Sequence, residues 1–123
     1  MATIQNFEEL KCWKSARALT KQIYISTSDG EISKDFGLKN QIRRAALSVM
    51  NNIAEGFGRY SKKELIRFLD IAQSSAAEVK SILYVIEDLE YLKQKEIAEL
   101  HNQVDKTRAL CRGFIAYIKK QIN

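Results

Sequence analysis

Apolar residues recur at spacings of three and four along four long stretches of this chain, and no stretch alternates apolar with polar residues. That spacing puts the apolar side chains on one face of an α-helix. Proline, the commonest helix breaker, is absent from all 123 residues. The pattern therefore predicts an all-α protein, and the length predicts a single domain over residues 1–123.

Four helices are predicted, over roughly 7–27, 34–56, from a Ser61 cap to about 91, and 95–122. The first has the cap pattern Asn6…Glu9, and the third opens at a capping box, Ser61-Lys62-Lys63-Glu64. Gly56 and Gly58 are expected to end the second helix in the left-handed conformation, and residues 26–33 to form a loop. Short connections at 57–60 and 92–94 predict antiparallel neighbours. The expected fold is an antiparallel up-and-down four-helix bundle.

The core is predicted from the apolar face of each helix. It includes Leu19, Ile23 and Tyr24 of the first helix, and Leu83, Ile86 and Leu89 of the third. Cys12 and Cys111 lie beside or on such faces, and we expect both to be reduced packing residues rather than a bridge.

Apolar residues also lie away from the core faces of the third and fourth predicted helices. They are either scattered exposures or an interface, and the recurring aromatic rings favour self-association. The predicted oligomer interface comprises Ile66, Ala77, Tyr84, Leu110, Phe114 and Tyr117.

The net charge of +5 is unevenly placed along the predicted bundle. In an up-and-down bundle, cations gather at one end and acidic residues gather at the other. Such an end suits a phosphate backbone, and an aromatic ring within it suits stacking on an unpaired base. The alternative explanation is that the cations at this end serve only to keep it solvated. The predicted nucleic-acid-binding residues are Lys11, Lys14, Arg17, Arg59, Tyr60, Lys62, Lys63, Arg67, Lys119 and Lys120.

No arrangement of residues in the chain indicates catalysis, a metal or a cofactor. A di-iron bundle site needs two Glu-x-x-His pairs, but the chain has one histidine, His101, with Ala98 three residues before it. Gly56-Phe57-Gly58 lacks the lysine and serine of a phosphate loop. Glu55 and Glu78 are the expected buried carboxylates, paired with Arg43 or Arg44. We therefore expect a protein that is not an enzyme and that uses no cofactor.

The location expected from the sequence is cytoplasmic. No apolar run approaches the roughly 20 residues that a membrane helix needs. The first residues also lack the charged-then-apolar order of a signal peptide.

Several motifs resemble the bacterial 23S rRNA intervening-sequence proteins, often called four helix bundle proteins. The resemblance covers nearly the whole chain, except that the last helix matches only as an amphipathic pattern. Its motifs are Phe7-x-x-Leu10-x-x-Trp13-x-x-Ala16, Phe36-Gly37-Leu38-x-x-Gln41-Ile42-Arg43-Arg44-Ala45-Ala46, Ser48-x-x-Asn51-Asn52-Ile53-Ala54-Glu55-Gly56-x-Gly58-Arg59, Ser61-x-Lys63-Glu64, Arg67-Phe68-Leu69-x-Ile71-Ala72, Ser74-Ser75-x-x-Glu78 and Leu89-Glu90-Tyr91-Leu92.

The resemblance implies a four-helix bundle assembled as a homo-oligomeric ring, typically a homopentamer. Accessory proteins of diversity-generating retroelements are similar in fold, and they bind nucleic acid and assist a reverse transcriptase. The resemblance supplies no catalytic residues. Its polar residues are expected to hold the contact between the second and third helices and the ring; they are Gln41, Arg43, Arg44, Ser48, Asn51, Asn52, Glu55, Ser75 and Glu78.

Two functions from different classes remain open at this point. The first is a ring-forming protein whose basic end binds RNA or DNA without strong sequence preference. The second is a protein-interaction adaptor, for example for a reverse transcriptase, with no nucleic-acid role.

Overall fold

The computed structural model describes residues 4–122, and within that range the secondary structure is entirely helical. The prediction of an all-α protein is confirmed. A 3₁₀ turn at Phe7–Glu9 precedes five helices, which are α1 (Lys11–Ser26), α2 (Gly30–Lys34), α3 (Phe36–Phe57), α4 (Lys62–Asp88) and α5 (Gln94–Lys119). Four of them correspond to the predicted helices, and α2 lies in the predicted loop.

The first helix starts at Lys11, so the predicted start at residue 7 is wrong. Leu10 is extended (φ −72°, ψ 128°) and separates the 3₁₀ turn from α1. The backbone N–H of Asn6 donates to the Glu9 carboxylate at 2.9 Å, which holds the turn closed. The break lets Leu10 enter the core while the Phe7 ring packs edge-on against Trp13 at 5.1 Å.

Helix α2 forms because its one apolar side chain has a place in the core. Ile32 is completely buried, although the surrounding residues are polar. Gly30 opens the helix with φ +73°, a conformation that favours glycine. Asp35 then caps α3 by accepting a hydrogen bond from the Leu38 N–H at 3.2 Å.

The turn between α3 and α4 differs from its prediction. Gly58 has φ −78° and ψ −4°, which is right-handed, and Gly56 lies inside α3. Gly56 is needed for a close approach instead: a Cβ there would lie 2.7 Å from the Cβ of Phe68 on α4. Ser61 caps α4 as predicted, accepting from the Glu64 N–H at 3.0 Å. The Glu64 carboxylate does not complete a capping box; it binds Arg67.

The core lies between α1, α3, α4 and α5, and Leu19, Ile23, Leu83 and Ile86 belong to it as predicted. Tyr24 and Leu89 are exposed, so their predicted places in the core are wrong. Both lie near the C-terminal ends of their helices, where fewer neighbouring side chains can cover them. Arg43 lies over the Tyr24 ring at 4.4 Å instead.

Contacts between helices pair residues in opposite order along the chain. Ser15 meets Thr107 and Ser26 meets Glu96 across α1 and α5. Across α3 and α4, Ser48 meets Ser75 and Gln41 meets Glu78. The contacts Lys80–Asp105 and Glu87–His101 repeat this order across α4 and α5.

Within residues 4–122, no helix is both long and apolar enough to cross a membrane.

Candidate nucleic-acid interface

Helix pairing brings the predicted cations to one end of the molecule. Cys12 contacts Cys111 and Ser15 faces Thr107, so the start of α1 lies against the second half of α5. Thr20 donates to the Ala46 carbonyl and Arg43 donates to Thr27, so α1 and α3 run in opposite directions and the start of α1 lies toward the end of α3. The α3–α4 turn completes this end. We call it the basic end, defined by Lys11, Lys14, Arg17, Arg59, Tyr60, Lys62, Lys63, Arg67, Lys119 and Lys120, all of which are exposed.

Two arginines of the basic end are held by neighbouring side chains. Arg59 donates to Glu55 at 2.8 Å, and Arg67 donates to Glu64 at 3.0 Å. Both guanidinium groups also lie against the Phe68 ring, at 4.8 and 4.9 Å from its centroid. The hydrogen bond from Arg67 lowers the pKa of Glu64, and the same bond raises the pKa of Arg67. These arginines therefore support the turn as well as contribute charge.

The lysines of the basic end are differently placed. Among residues 4–122, none of its six lysines forms an ion pair within 4.0 Å. Arg17 is also without one in that range, and lies over the Trp13 ring at 5.7 Å. Unpaired ammonium groups are available to phosphates, since binding breaks no internal salt bridge.

Acidic side chains at the same end reduce its positive charge. Glu8 and Glu9 are exposed in the 3₁₀ turn, where Glu9 accepts from the backbone of Gln5 and Asn6. Glu55 and Glu64 are engaged by the two arginines. The lysines therefore carry most of the charge left for a ligand.

Five of the nine polar residues expected from the resemblance line a cleft between α3 and α4. The cleft has a volume of about 520 Å³ and is lined by Gly37, Asn40, Gln41, Arg44, Ala45, Ser48, Ser75 and Glu78. Ser48 and Ser75 share a hydrogen bond of 2.8 Å in this cleft, and Asn52 donates to the Ser48 carbonyl at 2.8 Å. The Ser48–Ser75 hydrogen bond joins α3 to α4, whereas the hydrogen bond of Asn52 lies within α3.

Arg43, Asn51, Asn52 and Glu55 of the polar set do not line this cleft. Arg43 points toward α1, donating to Thr27 Oγ1 at 2.8 Å. Asn51 is exposed. Glu55 and Glu78 are also exposed, so the expectation of buried carboxylates paired with Arg43 or Arg44 is wrong. Both carboxylates are open to solvent, and Glu55 forms an ion pair with Arg59, four residues later in the chain.

The predicted interface residues divide into two groups. Ile66, Leu110 and Phe114 are half-buried and pack against the core of the same chain, which differs from the expectation that they face away from it. Their helical positions lie on the flanks of the core face, where they are partly shielded from solvent. Tyr84 and Tyr117 remain 54% and 50% exposed, and Ala77 is exposed as well.

Sequence reasoning missed the polar contacts between α1 and α5. Ser15 and Thr107 share a buried hydrogen bond of 2.7 Å, and Gln103 donates to Ser15 Oγ at 3.1 Å. Cys12 and Cys111 are buried, free and in contact: their hydrogen bond, together with burial, raises the pKa of the Cys111 thiol. Each small polar residue lies within an apolar stripe, which gives no separate signal.

His101 is the one imidazole in the chain. It lies 3.7 Å from a Glu87 carboxylate oxygen and 4.7 Å from the Tyr84 ring centroid. Across the part of the chain that the structure describes, no group of three or more His, Cys, Asp and Glu residues is arranged to hold a metal ion.

Comparison with known proteins identifies relatives of this chain. The family model described as 23S rRNA-intervening sequence protein matches residues 8–113. No curated protein matches the chain. The solved structures that match include one with a TM-score of 0.77 and 22% identity, over 85% of this chain and 97% of the other. It is a protein of unknown function from the S23 ribosomal protein family of Bacteroides thetaiotaomicron, and at this identity it supports the fold alone.

Proposed function

The chain belongs to the 23S rRNA-intervening sequence protein family, and from that premise we propose that it is a non-catalytic protein that binds the backbone of RNA or DNA through its basic end. The observation that carries the proposal is the set of six exposed lysines that gather at one end and have no carboxylate partner among residues 4–122. Each lysine placed near a phosphate releases a condensed counterion, so the binding energy comes from charge and depends on salt.

Weak sequence preference is part of the proposal. Lysine ammonium groups on flexible stems act as point charges, whereas base readout relies on flat side chains held in fixed positions. The two arginines with fixed positions, Arg59 and Arg67, are engaged by Glu55 and Glu64. The cations that remain are the six lysines and Arg17, and the lysines suit phosphates rather than base edges.

The proposed assembly is an up-and-down bundle that joins copies of itself into a ring. Support for the bundle comes from the opposite order of contacts across each helix pair. Support for self-association comes from the half-exposed rings of Tyr84 and Tyr117. A pentamer follows from the family resemblance. Copies placed side by side would join their basic ends into a larger phosphate-binding surface.

The test is fluorescence anisotropy with labelled RNA and DNA, on protein freed of nucleic acid by nuclease, over a salt series. The variant is Lys62→Glu with Lys63→Glu. Its matched control is Lys93→Glu with Lys95→Glu, which makes the same change in net charge at the acidic end, on residues that are also exposed.

Binding that weakens steeply with salt is expected, with a loss of at least tenfold in the Lys62/Lys63 variant and a much smaller loss in the control. Two results count against the proposal. One is no binding at low salt, and the other is an equal loss in both variants, which reflects net charge alone.

A protein-binding role is the second candidate. The observation that favours it is a group of exposed apolar side chains, Tyr84, Val85 and Leu89, in and just after the last turns of α4. A partner such as a reverse transcriptase is the kind of protein that this candidate implies. A pull-down from nuclease-treated lysate that loses a stoichiometric protein on Tyr84→Ser would support this role.

A further inference from the structure

Resting on the proposed function, we propose that the basic end selects unpaired nucleic acid, with Tyr60 as a platform on which one exposed base stacks. Tyr60 lies in the α3–α4 turn, between Arg59 and the pair Lys62 and Lys63. The ligand class is therefore single-stranded RNA or DNA, or an unpaired loop, rather than a continuous duplex.

The first support is the exposure of the ring. Tyr60 has a relative exposure of 109%, whereas the other large apolar side chains at the surface of residues 4–122 range from 36% to 67%. Within the described chain, therefore, both faces of the ring are open to a ligand. A single exposed tyrosine is ordinary by itself, and the groups that surround Tyr60 distinguish it.

The second support is the firmness of the turn that carries Tyr60. On its N-terminal side, Gly56 lies against Phe68, and Arg59 is tied to Glu55 and to the Phe68 ring. On its C-terminal side, Ser61 caps α4. The backbone is thus fixed on both sides while the ring is fully exposed, so stacking costs little ordering of the chain.

The third support is the chemistry on either side of the ring. Lys62 and Lys63 follow Tyr60 closely, are exposed, and have no ion pair among the described residues. A stacked nucleotide brings its own phosphate and that of its neighbour toward these lysines. Aromatic stacking accepts any base, because every base has a π face, and so agrees with weak sequence preference.

A duplex cannot use the ring in this way. Its bases already stack on one another and present only their edges in the grooves, so a tyrosine reaches a base face only at an unpaired nucleotide or at the two ends of the duplex. The lysines, in contrast, bind phosphates of either form. Selection of unpaired strands therefore rests on Tyr60, and attraction to the phosphates rests on the lysines.

The experiment uses the full chain, freed of nucleic acid, and two labelled RNA probes with equal numbers of phosphates. One is an unstructured oligouridine and the other is a blunt duplex. Anisotropy is measured for the wild type, Tyr60→Ala, Tyr60→Leu and Tyr60→Phe. Lys62→Glu with Lys63→Glu is measured in parallel, to test the phosphate contacts alone.

The expected result is tighter binding of the single strand, which falls about tenfold in Tyr60→Ala while duplex binding hardly changes. Tyr60→Phe keeps the affinity because it keeps the ring, and Tyr60→Leu loses it although its side chain is still large and apolar. An equal effect of Tyr60→Ala on both probes, or no effect on either, overturns the inference.

The outcomes also separate this inference from the proposed function. If the Lys62/Lys63 variant loses binding to both probes and Tyr60→Ala changes neither, phosphate binding stands and the stacking platform is rejected. If the wild type binds neither probe at low salt, both are rejected.

Discussion

Gly56 is the residue at which one methyl group would matter most. A Cβ at this position would lie 2.7 Å from the Cβ of Phe68, and only a shift of α3 against α4 relieves that contact. Gly56→Ala should therefore lower the free energy of unfolding by about 1–3 kcal/mol. Urea denaturation followed by circular dichroism gives the value.

The matched control for this substitution is Gly113→Ala. Gly113 is exposed within α5, and a Cβ there would meet nothing within 4 Å. Alanine should raise stability by about 0.5–1 kcal/mol, because it is the better helix former. If Gly56→Ala proved as stable as its control, the close approach of α3 and α4 would be wrong.

The ion pair between Glu64 and Arg67 gives a prediction that depends on pH. The Arg67 hydrogen bond holds the pKa of Glu64 below its ordinary value of 4.5. A carboxylate with a lowered folded pKa stabilises the protein above the unfolded pKa, and this contribution is lost as pH falls through the folded pKa.

Arg67→Gln should therefore bring the pKa of Glu64 back toward 4.5 and flatten stability against pH below that value. Carboxyl chemical shifts from nuclear magnetic resonance measure the pKa, and Lys80→Gln is a control that leaves Glu64 untouched. A Glu64 pKa that does not move in Arg67→Gln would show that the pair is absent in solution.

Some contacts of single residues can be predicted from the sequence, and others cannot. The cap at Ser61 is predictable, since it depends on residues next to it in the chain. The partners of Arg43 are not predictable in this way. Helical spacing puts Arg43 on the flank of α3, but only packing decides that it reaches Tyr24 on α1 and Thr27 just after α1. Tertiary partners of long side chains carry no local signal.

At the scale of elements, the end of α4 holds a strained residue. Glu90 has φ +56°, while the N–H groups of Glu90 and Tyr91 donate to the carbonyls of Glu87 and Ile86. This is a Schellman cap, in which glycine is the favoured residue. Glu90→Gly should raise the free energy of unfolding by about 1 kcal/mol, because glycine adopts the left-handed backbone conformation without the steric cost of a Cβ.

The reverse substitution at the start of α2 serves as the control. Gly30 has φ +73°, and a Cβ added there would meet nothing within 4 Å, so Gly30→Ala brings backbone strain without a clash. It should lower the free energy of unfolding by about 1 kcal/mol. Thermal unfolding measures both variants, and a change of the same sign in the two would contradict this account.

Long helices are predictable because many apolar residues follow the same helical spacing. Short elements have too few residues to show such a pattern. Helix α2 has five residues and one buried side chain, Ile32. Its stability comes from that contact with the core rather than from its own sequence. The 3₁₀ turn before α1 likewise depends on packing, because Leu10 leaves the helix in order to be buried.

For the whole molecule, the sequence predicts which charges share an end but not which of them are free. Threading four helices up and down is enough to gather the cations. That Arg59 and Arg67 are held by Glu55, Glu64 and Phe68 depends on the geometry of one turn. Binding by the basic end, and assembly into a ring, stay predictions.

Assembly and binding are linked in a testable way if copies join their basic ends. A strand of about 40 nucleotides would then reach several copies, and one of about 8 nucleotides only one, so the longer strand gains from effective concentration. The variant Tyr84→Ser with Tyr117→Ser removes two exposed rings without changing charge. It should form a smaller assembly by light scattering and lose long-strand affinity by at least tenfold, while short-strand affinity is unchanged.

Ile25→Ser is the control, since Ile25 is 60% exposed and lies outside the predicted interface. It should keep both the assembly size and the long-strand affinity. A double variant that becomes smaller and still binds the long strand as tightly as the wild type would mean that each copy acts alone. In that case the basic end is complete within a single chain, and the ring serves a purpose other than nucleic-acid binding.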